Sequence, residues 1–453
     1  MDQISELLSS YACRLNYEDL DPGTVHQIKR TLVDTLGCAI GGYQSEPAKI
    51  ARRLAGSVTS SAPARIIGTQ DYSSMDMAGF ANGVMVRCLD CNDAYYSPGG
   101  GHPSDMIPAA LAVADTLERD GRSVITAIAL AYEVFCRLAD QVVTSDLGWD
   151  YGMFSGIGAA CAAGKVLGLD QKQMGHAISL AITPNLPLGA TRVGEIPMWK
   201  GCATASATRS AIFAAQLASE NMTGPDNPFE GRKGLWEQAG VTQPVKLDQF
   251  GGNGEDFRIN RTIFKSYPSQ IHTQSPIGLA IELHRQVDLS QIESINIKSY
   301  KSMVSNATTE PEKWDPKTRE TADHSIPYVV AVALTDGAVT PDSFAARRIS
   351  DPALRLLMSK MSMEEDPEFT RRYSEEYNCR IEISTKSGQS VVAETSFPKG
   401  HPNNPLSDAE ISDKFRNLAQ PNLTDRQCSE ALDLLWRLED LPNLEGAYDN
   451  LVV

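Results

Sequence analysis

Long apolar runs are missing from this sequence. No stretch of the 453 residues is hydrophobic for the ~20 positions that a membrane-spanning helix needs. The leading residues, MDQISELLSSYACRL, are acidic and amphipathic, without the basic, apolar and small-residue succession of a secretory signal. A cytoplasmic protein with no membrane partner is the expectation. Positive charge is also scarce: 41 Lys and Arg stand against 57 Asp and Glu, a net charge of −16. That argues against a nucleic-acid surface, which needs clustered cations. It also repels anionic ligands at long range, so a site for one must carry its own local cations. Cysteines are not paired off. Their number, nine, is odd, and they lie in apolar stretches such as DTLGCAIGG and GAACAAGK, as reduced buried thiols do. The single CxxC, Cys88 and Cys91, has no second ligand pair to complete a zinc site. Both cysteines are read as helix residues, and no metal is expected.

What is there suffices for a real core: 42% of the chain is hydrophobic, and its length predicts more than one domain. Residues 1–260 read as helix after helix. DPGTVHQIKRTLVDTLGCAIGG (21–42) opens with a first-turn Pro and closes on a Gly pair, and DMIPAALAVADTLE begins with Asp105 as a candidate N-cap. SVITAIALAYEVFCRLADQV, FSGIGAACAAGKVLGL and ATASATRSAIFAAQLASE are rich in Ala and Gly, which lets helices approach closely. Near residue 260 the pattern changes. SINIKSY alternates like a half-buried strand, and CRIEIST and SVVAETSF flank KSGQ as a hairpin would. Residues 261–397 are therefore expected to form a smaller α+β domain. Residues 398–453 return to helix and are expected to pack back on the first domain.

The segment CLDCNDAYYSPGGGHPSD (88–105) puts three glycines directly before His102, with acids nearby. Glycine can take positive φ and bring backbone close to a ligand, so the stretch reads as a loop presenting a histidine. Asp90 and Asp93, at i and i+3, are expected on one face of a helix end, where a carboxylate would fix the imidazole tautomer and raise its basicity. Asp105 is read only as a helix opener. Of the seven histidines, His26, His176 and His284 lie in helical patterns and His401 at a domain junction. His102, His272 (SYPSQIHTQSP) and His324 (TADHSIPY) sit in loop-like settings, where chemistry concentrates. Lys200, Arg192 and Lys265 are cations at loop-like places and could together hold a polycarboxylate.

Five pieces, VDTLGCAIGG, ANGVMVRCLDCNDAYYSPGGGHPSD, MWKGCATASATRSAIFAAQLASENMTGP, IFKSYPSQIHTQSPI and DHSIPYVVAVALTDG, occur in the order found in the MmgE/PrpD family, which the chain resembles over nearly its whole length. The resemblance implies a large all-helical domain, built from the N-terminal part and the C-terminal tail, and a smaller α+β lid domain. It also implies a homodimer, a site between the domains, and no metal or organic cofactor. Asp90 matches the first acid of the family's LDFDD-like segment and His102 the histidine of its His-Pro-Ser motif. Lys265 matches the lysine before a Tyr/Phe-Pro turn, and Tyr328 the tyrosine after an Asp-His segment. Lys200 and His272 match a family lysine and histidine. Ala94 and Tyr151 stand where decarboxylating members have Thr and His.

The family's reactions move a proton at a carbon beside a carboxylate, which takes a positioned base together with cations that hold the developing enediolate. The resemblance therefore implies a cofactor-independent lyase acting on a di- or tricarboxylate, with dehydration of 2-methylcitrate or citrate first in line. His102 is expected as base or acid, oriented by Asp90. Lys265, Lys200, Arg192, His272 and His324 would bind substrate, and Tyr328 would bind substrate or protonate a leaving hydroxyl. Decarboxylation of an aconitate and epimerisation of an iminodicarboxylate are the alternatives within the family. A non-catalytic binding protein and a metal hydrolase are the alternatives outside it.

Overall fold

A computed structural model describes residues 1–247, 249–252 and 254–453. The Ala- and Gly-rich segments become its most buried helices. Gly152–Leu167 packs against Gly121–Ala139 on one side and Ala203–Ser219 on the other. Small side chains permit this: a Cβ added at Gly158 would come within 2.8 Å of the Ala131 carbonyl oxygen. Met75–Arg87 and Pro22–Gly42 extend the layer, and the late helix Asp408–Ala419 lies on Pro22–Gly42, with the Phe415 backbone at Gly37. Helix starts follow side-chain chemistry. Asp21 accepts from the Thr24 amide ahead of Pro22, and Ser407 and Thr424 form capping boxes with Glu410 and Gln427.

A second hydrophobic core gathers residues from the later part of the chain. Its sheet runs in the order Met361–Glu365, Ile292–Ser299, Cys379–Thr385, Ser390–Thr395. The last two strands are the expected hairpin, pairing Cys379 with Thr395 and Ser384 with Ser390. Met361–Glu365 pairs in parallel with Ile292–Ser299 and was not legible as a strand. Helices Gln274–His284 and Ile326–Asp336 pack on each other beside this sheet, so the fold is a large helical domain with a smaller α+β one. Backbone bonds tie the early and later parts of the chain together. Ala94 and Ile263 exchange amide–carbonyl bonds of 2.8 and 2.7 Å, and the Phe264 amide donates to Gly400 at 3.0 Å.

Three local expectations are corrected. Asp105 caps no helix; it lies in a 3-10 turn, Pro103–Met106, and the following helix Ile107–Thr116 starts without a side-chain cap. The helix before the acids ends at Arg87 with Cys88 as its C-cap, so Asp90, Asp93 and Cys91 lie beyond it and neither cysteine is a residue of the helix proper. Asp90 takes φ +53, a left-handed conformation that Asp and Asn tolerate better than other side chains. The triple glycine forms one strand of a tight hairpin, Tyr95–Ser97 with Gly99–Gly101, and none of the three has positive φ. Glycine is needed there for close approach. A Cβ on Gly99 would lie 2.6 Å from the Ala139 carbonyl oxygen, one on Gly100 2.6 Å from Tyr96 Cδ1, and one on Gly101 2.5 Å from Tyr151 Cγ.

Because the obstacle at Gly99 is helix-end backbone and cannot rotate away, Gly99→Ala is expected to destabilise the protein by about 1–3 kcal/mol. Urea unfolding followed by circular dichroism measures this, and an unchanged midpoint would refute the packing account.

Candidate active site

The site is organised by one carboxylate. Asp90 is fully buried and receives Arg87 Nη1 at 2.5 Å, Lys200 Nζ at 2.7 Å and the Lys265 ammonium. These cations come from the end of the helix Met75–Arg87, from the turn Met198–Gly201, and from the segment that pairs with Ala94. The Ala94–Ile263 bridge sets Lys265 in place, since it aligns that segment with the Asp90 loop. Burial pushes the Asp90 carboxyl up, but Arg87, Lys200 and Lys265 outweigh it and hold it well below the usual carboxylate range. Burial pushes Lys265 down to about 8, against the pull of Asp90.

The donors divide unequally. Lys265 has three N–H groups, and it contacts the Asp90 carboxylate, the Asp90 carbonyl at 2.7 Å and the Ser269 carbonyl at 3.4 Å. It is spent on holding the loop. Lys200 touches Asp90 and, at 3.7 Å, Asp323, which leaves it donor capacity. Arg192 stands apart from Asp90. Its Nε donates to Asp150 at 2.5 Å, its guanidinium carbon lies 4.5 Å from the centre of the Tyr151 ring, and its buried Nη2 has no hydrogen-bond partner among the described residues.

His102 Nδ1 lies 2.6 Å from the backbone carbonyl of Asp93. A carbonyl only accepts, so Nδ1 carries the proton and Nε2 presents a lone pair, 3.9 Å from Asp90 Oδ1. The tautomer is thus fixed by a backbone carbonyl and not by the Asp90 carboxylate, as the sequence had implied. Burial, then Arg87 and Lys265, push His102 well below its ordinary pKa, so the ring is neutral. The Asp93 side chain holds the loop: it accepts from the Ser104 amide at 3.1 Å, the Ser104 hydroxyl at 2.6 Å and the Tyr132 hydroxyl at 2.8 Å. Burial raises Asp93 to about 6, against those bonds.

His324 lies on the opposite side of Asp90. Its Nδ1 bonds Asp323 and its Nε2 is 3.6 Å from Asp90 Oδ2. Burial and then Lys200 lower it to about 4. His272 bonds the Tyr300 hydroxyl through Nδ1 at 2.7 Å, and burial lowers it to about 4. The structure therefore gathers His102, His324, Lys200 and Lys265 around Asp90, with His272 and Arg192 at the margins. Tyr328 is not among them. Its hydroxyl donates to the Ser343 carbonyl at 2.6 Å within the second core.

Several site residues escaped the sequence. Arg87, three positions before Asp90, was hidden in the apolar run ANGVMVRCLD. Asp105, set aside as a helix opener, accepts from Asn92 at 2.8 Å and Tyr151 at 3.1 Å and faces Arg87 at 3.6 Å. Tyr151 also accepts from Arg87 Nε at 3.1 Å and stands edge-on to His102, 5.6 Å between ring centres. Asp323 could have been suspected from its place beside His324. Asp90, Asp323 and His324 offer donor atoms within 4.8 Å of one another, a spacing that a metal ion could use. Lys200 and Lys265 already fill that space with positive charge, so the donor set fits an ammonium better than a metal. Surface hollows of about 510 and 320 Å³ lie elsewhere, one at Tyr17 and Arg122 and one at Tyr43 and Arg52. The charged cluster is enclosed between the two cores.

The sequence profile of the MmgE/PrpD N-terminal domain matches residues 6–248, and that of the MmgE/PrpD C-terminal domain matches residues 267–438. The chain is 27% identical to 2-methylcitrate dehydratase of Escherichia coli (strain K12), over 94% of this chain and 93% of the relative. It is 28% identical to 2-methylcitrate dehydratase of Cupriavidus necator, over 88% and 86%. It is 23% identical to human cis-aconitate decarboxylase, over 97% and 93%. With both domain profiles matched in order along one chain, this protein belongs to the MmgE/PrpD family.

Proposed function

We propose that this chain is a lyase that dehydrates a hydroxy tricarboxylate, 2-methylcitrate or citrate, by abstracting a proton from the carbon next to a carboxylate. The observation that carries this is His102, a neutral imidazole whose Nε2 lone pair faces a carboxylate held by Arg87, Lys200 and Lys265. A carbon acid of this kind needs a base working near neutral pH and fixed positive charge where the enediolate forms. Burial, then Arg87 and Lys265, depress His102. A bound tricarboxylate brings negative charge that opposes Arg87 and Lys265 and so raises the basicity of His102. Lys200 and Arg192 have donors to spare for its carboxylates, His324 and His272 line its path, and Lys265 fixes Asp90. The relatives named 2-methylcitrate dehydratase support this substrate class. Ala94 and Tyr151 weigh against decarboxylation.

The same proposal takes residues 1–260 and 398–453 as one helical unit and 261–397 as a lid that opens to admit substrate. It also takes the protein as a cytoplasmic homodimer without metal or organic cofactor. Leu188, Val193, Met198 and Trp199, exposed around the loop that bears Arg192 and Lys200, supply an apolar face suited to a second copy.

Proton NMR of the protein with 2-methylcitrate, citrate and cis-aconitate in separate tubes is the direct test. Loss of a hydroxy acid with growth of a vinylic signal is expected; itaconate from cis-aconitate would overturn dehydration. His102→Ala should lower kcat by roughly 10²–10⁴-fold, and near-normal turnover would remove it as the base. Asp90→Asn leaves three cations without their counter-charge, a loss of about 3–5 kcal/mol that urea unfolding reads. Lys265 keeps its charge only below about pH 8, so kcat/KM should fall as pH rises through 8. A flat profile from pH 7 to 9 would contradict that assignment.

A further inference from the structure

Dehydration needs a proton for the departing hydroxyl, and Tyr328, the tyrosine singled out by sequence, is tied to Ser343. Other phenols near the site are also committed. Tyr95 donates to Asp140 at 2.5 Å, Tyr132 to Asp93, Tyr151 to Asp105, and Tyr300 is bonded to His272. Tyr96 is different. It sits on the glycine hairpin, paired with Gly100, six residues before His102. Its strand belongs to the helical domain, yet its ring packs against the second core and lies 6.2 Å from the His272 ring, centre to centre. Among the described residues its hydroxyl has no hydrogen-bond partner. Arg192, Arg87, Asp90 and Asp150 are the charges that act on it. Tyr373 and Tyr377 also keep uncommitted hydroxyls, but the groups acting on theirs are other tyrosines and not the charged cluster.

We propose that Tyr96 hydrogen-bonds the substrate's leaving hydroxyl and supplies the proton with which it departs as water. This rests on the dehydratase reading given above. The base takes the carbon-bound proton, and the C–H electron pair becomes the new C=C bond as the C–O bond breaks. The phenol proton goes to the leaving oxygen and completes a water molecule. The phenolate, facing Arg192 and Arg87, then takes back the proton held on the base, which restores both groups. Burial raises this phenol to about 12, with Arg192 and Arg87 opposing. Hydroxide leaving without a proton is the anion of a far weaker acid, pKa about 15.7, so the phenol is a competent donor. Gly100 belongs to the same device, since a side chain there would strike the Tyr96 ring.

The test is Tyr96→Phe, compared with wild type in three measurements. Dehydration of 2-methylcitrate or citrate should fall at least ~10²-fold in kcat, with KM within about three-fold. Exchange of the substrate's carbon-bound proton in D₂O should persist, because the base is intact. By calorimetry, wild type should bind citrate more tightly than tricarballylate, which is citrate without its hydroxyl, and the variant should bind the two alike. Dehydration within three-fold of wild type, or equal weakening toward both tricarboxylates, would overturn the proposal. A wild-type protein that dehydrates no hydroxy acid but decarboxylates cis-aconitate sinks the dehydratase reading itself, and the leaving-group role with it.

Discussion

The structure depends on a buried ion cluster around Asp90. Taking charges out of water costs several kcal/mol per ion even after relaxation, and only close pairing offsets that. Here one carboxylate serves Arg87, Lys200 and Lys265, at sequence separations of 3, 110 and 175 residues. None of the four charges is tolerable alone at zero to one percent exposure. Their mutual need draws together a helix end, a turn and the start of the second core. The left-handed backbone at Asp90 turns its carboxylate back toward Arg87, the residue that closes the preceding helix.

The same cluster concentrates positive charge inside an acidic protein. A net charge of −16 repels polycarboxylates at a distance. Inside the enclosed site, fixed cations act through low dielectric and are worth far more than on the surface. They also set protonation. His102 and His324 flank Asp90, and both are held neutral by burial and by these cations. A neutral imidazole tied by Nδ1–H to a carbonyl presents its lone pair at Nε2. The supporting bonds of Asp93 to Ser104 and Tyr132 keep that carbonyl where His102 needs it.

The hairpin carrying His102 combines both lessons. Its three glycines are there because helix-end carbonyls, Tyr96 and the Tyr151 ring press against it. Close packing, not conformational freedom, dictates the residue type, and it brings the loop down onto the cluster. Tyr151, pinned between Arg87 and Asp105, forms the wall behind His102.

The sequence by itself determined the helical character of the first domain, the first-turn proline of Pro22–Gly42, and the hairpin Cys379–Thr385 with Ser390–Thr395, and it singled out Asp90, His102, Lys200 and Lys265, which the fold brings together. Those features are written in periodicity, in local hydrogen bonding and in motif order, all short-range. The parallel edge strand Met361–Glu365 could not be read, because its short, charged sequence becomes a strand only by pairing with Ile292–Ser299. Nor could the partners of Asp90 be ranked. Arg87 and Asp105 look like ordinary helix residues until the chain folds, and Tyr328 looks like a site residue until its hydroxyl finds Ser343. Which phenol stays uncommitted is decided by contacts beyond the reach of local pattern, and Lys200 and Lys265 meet Asp90 across 110 and 175 residues, so only tertiary structure supplies those pairings.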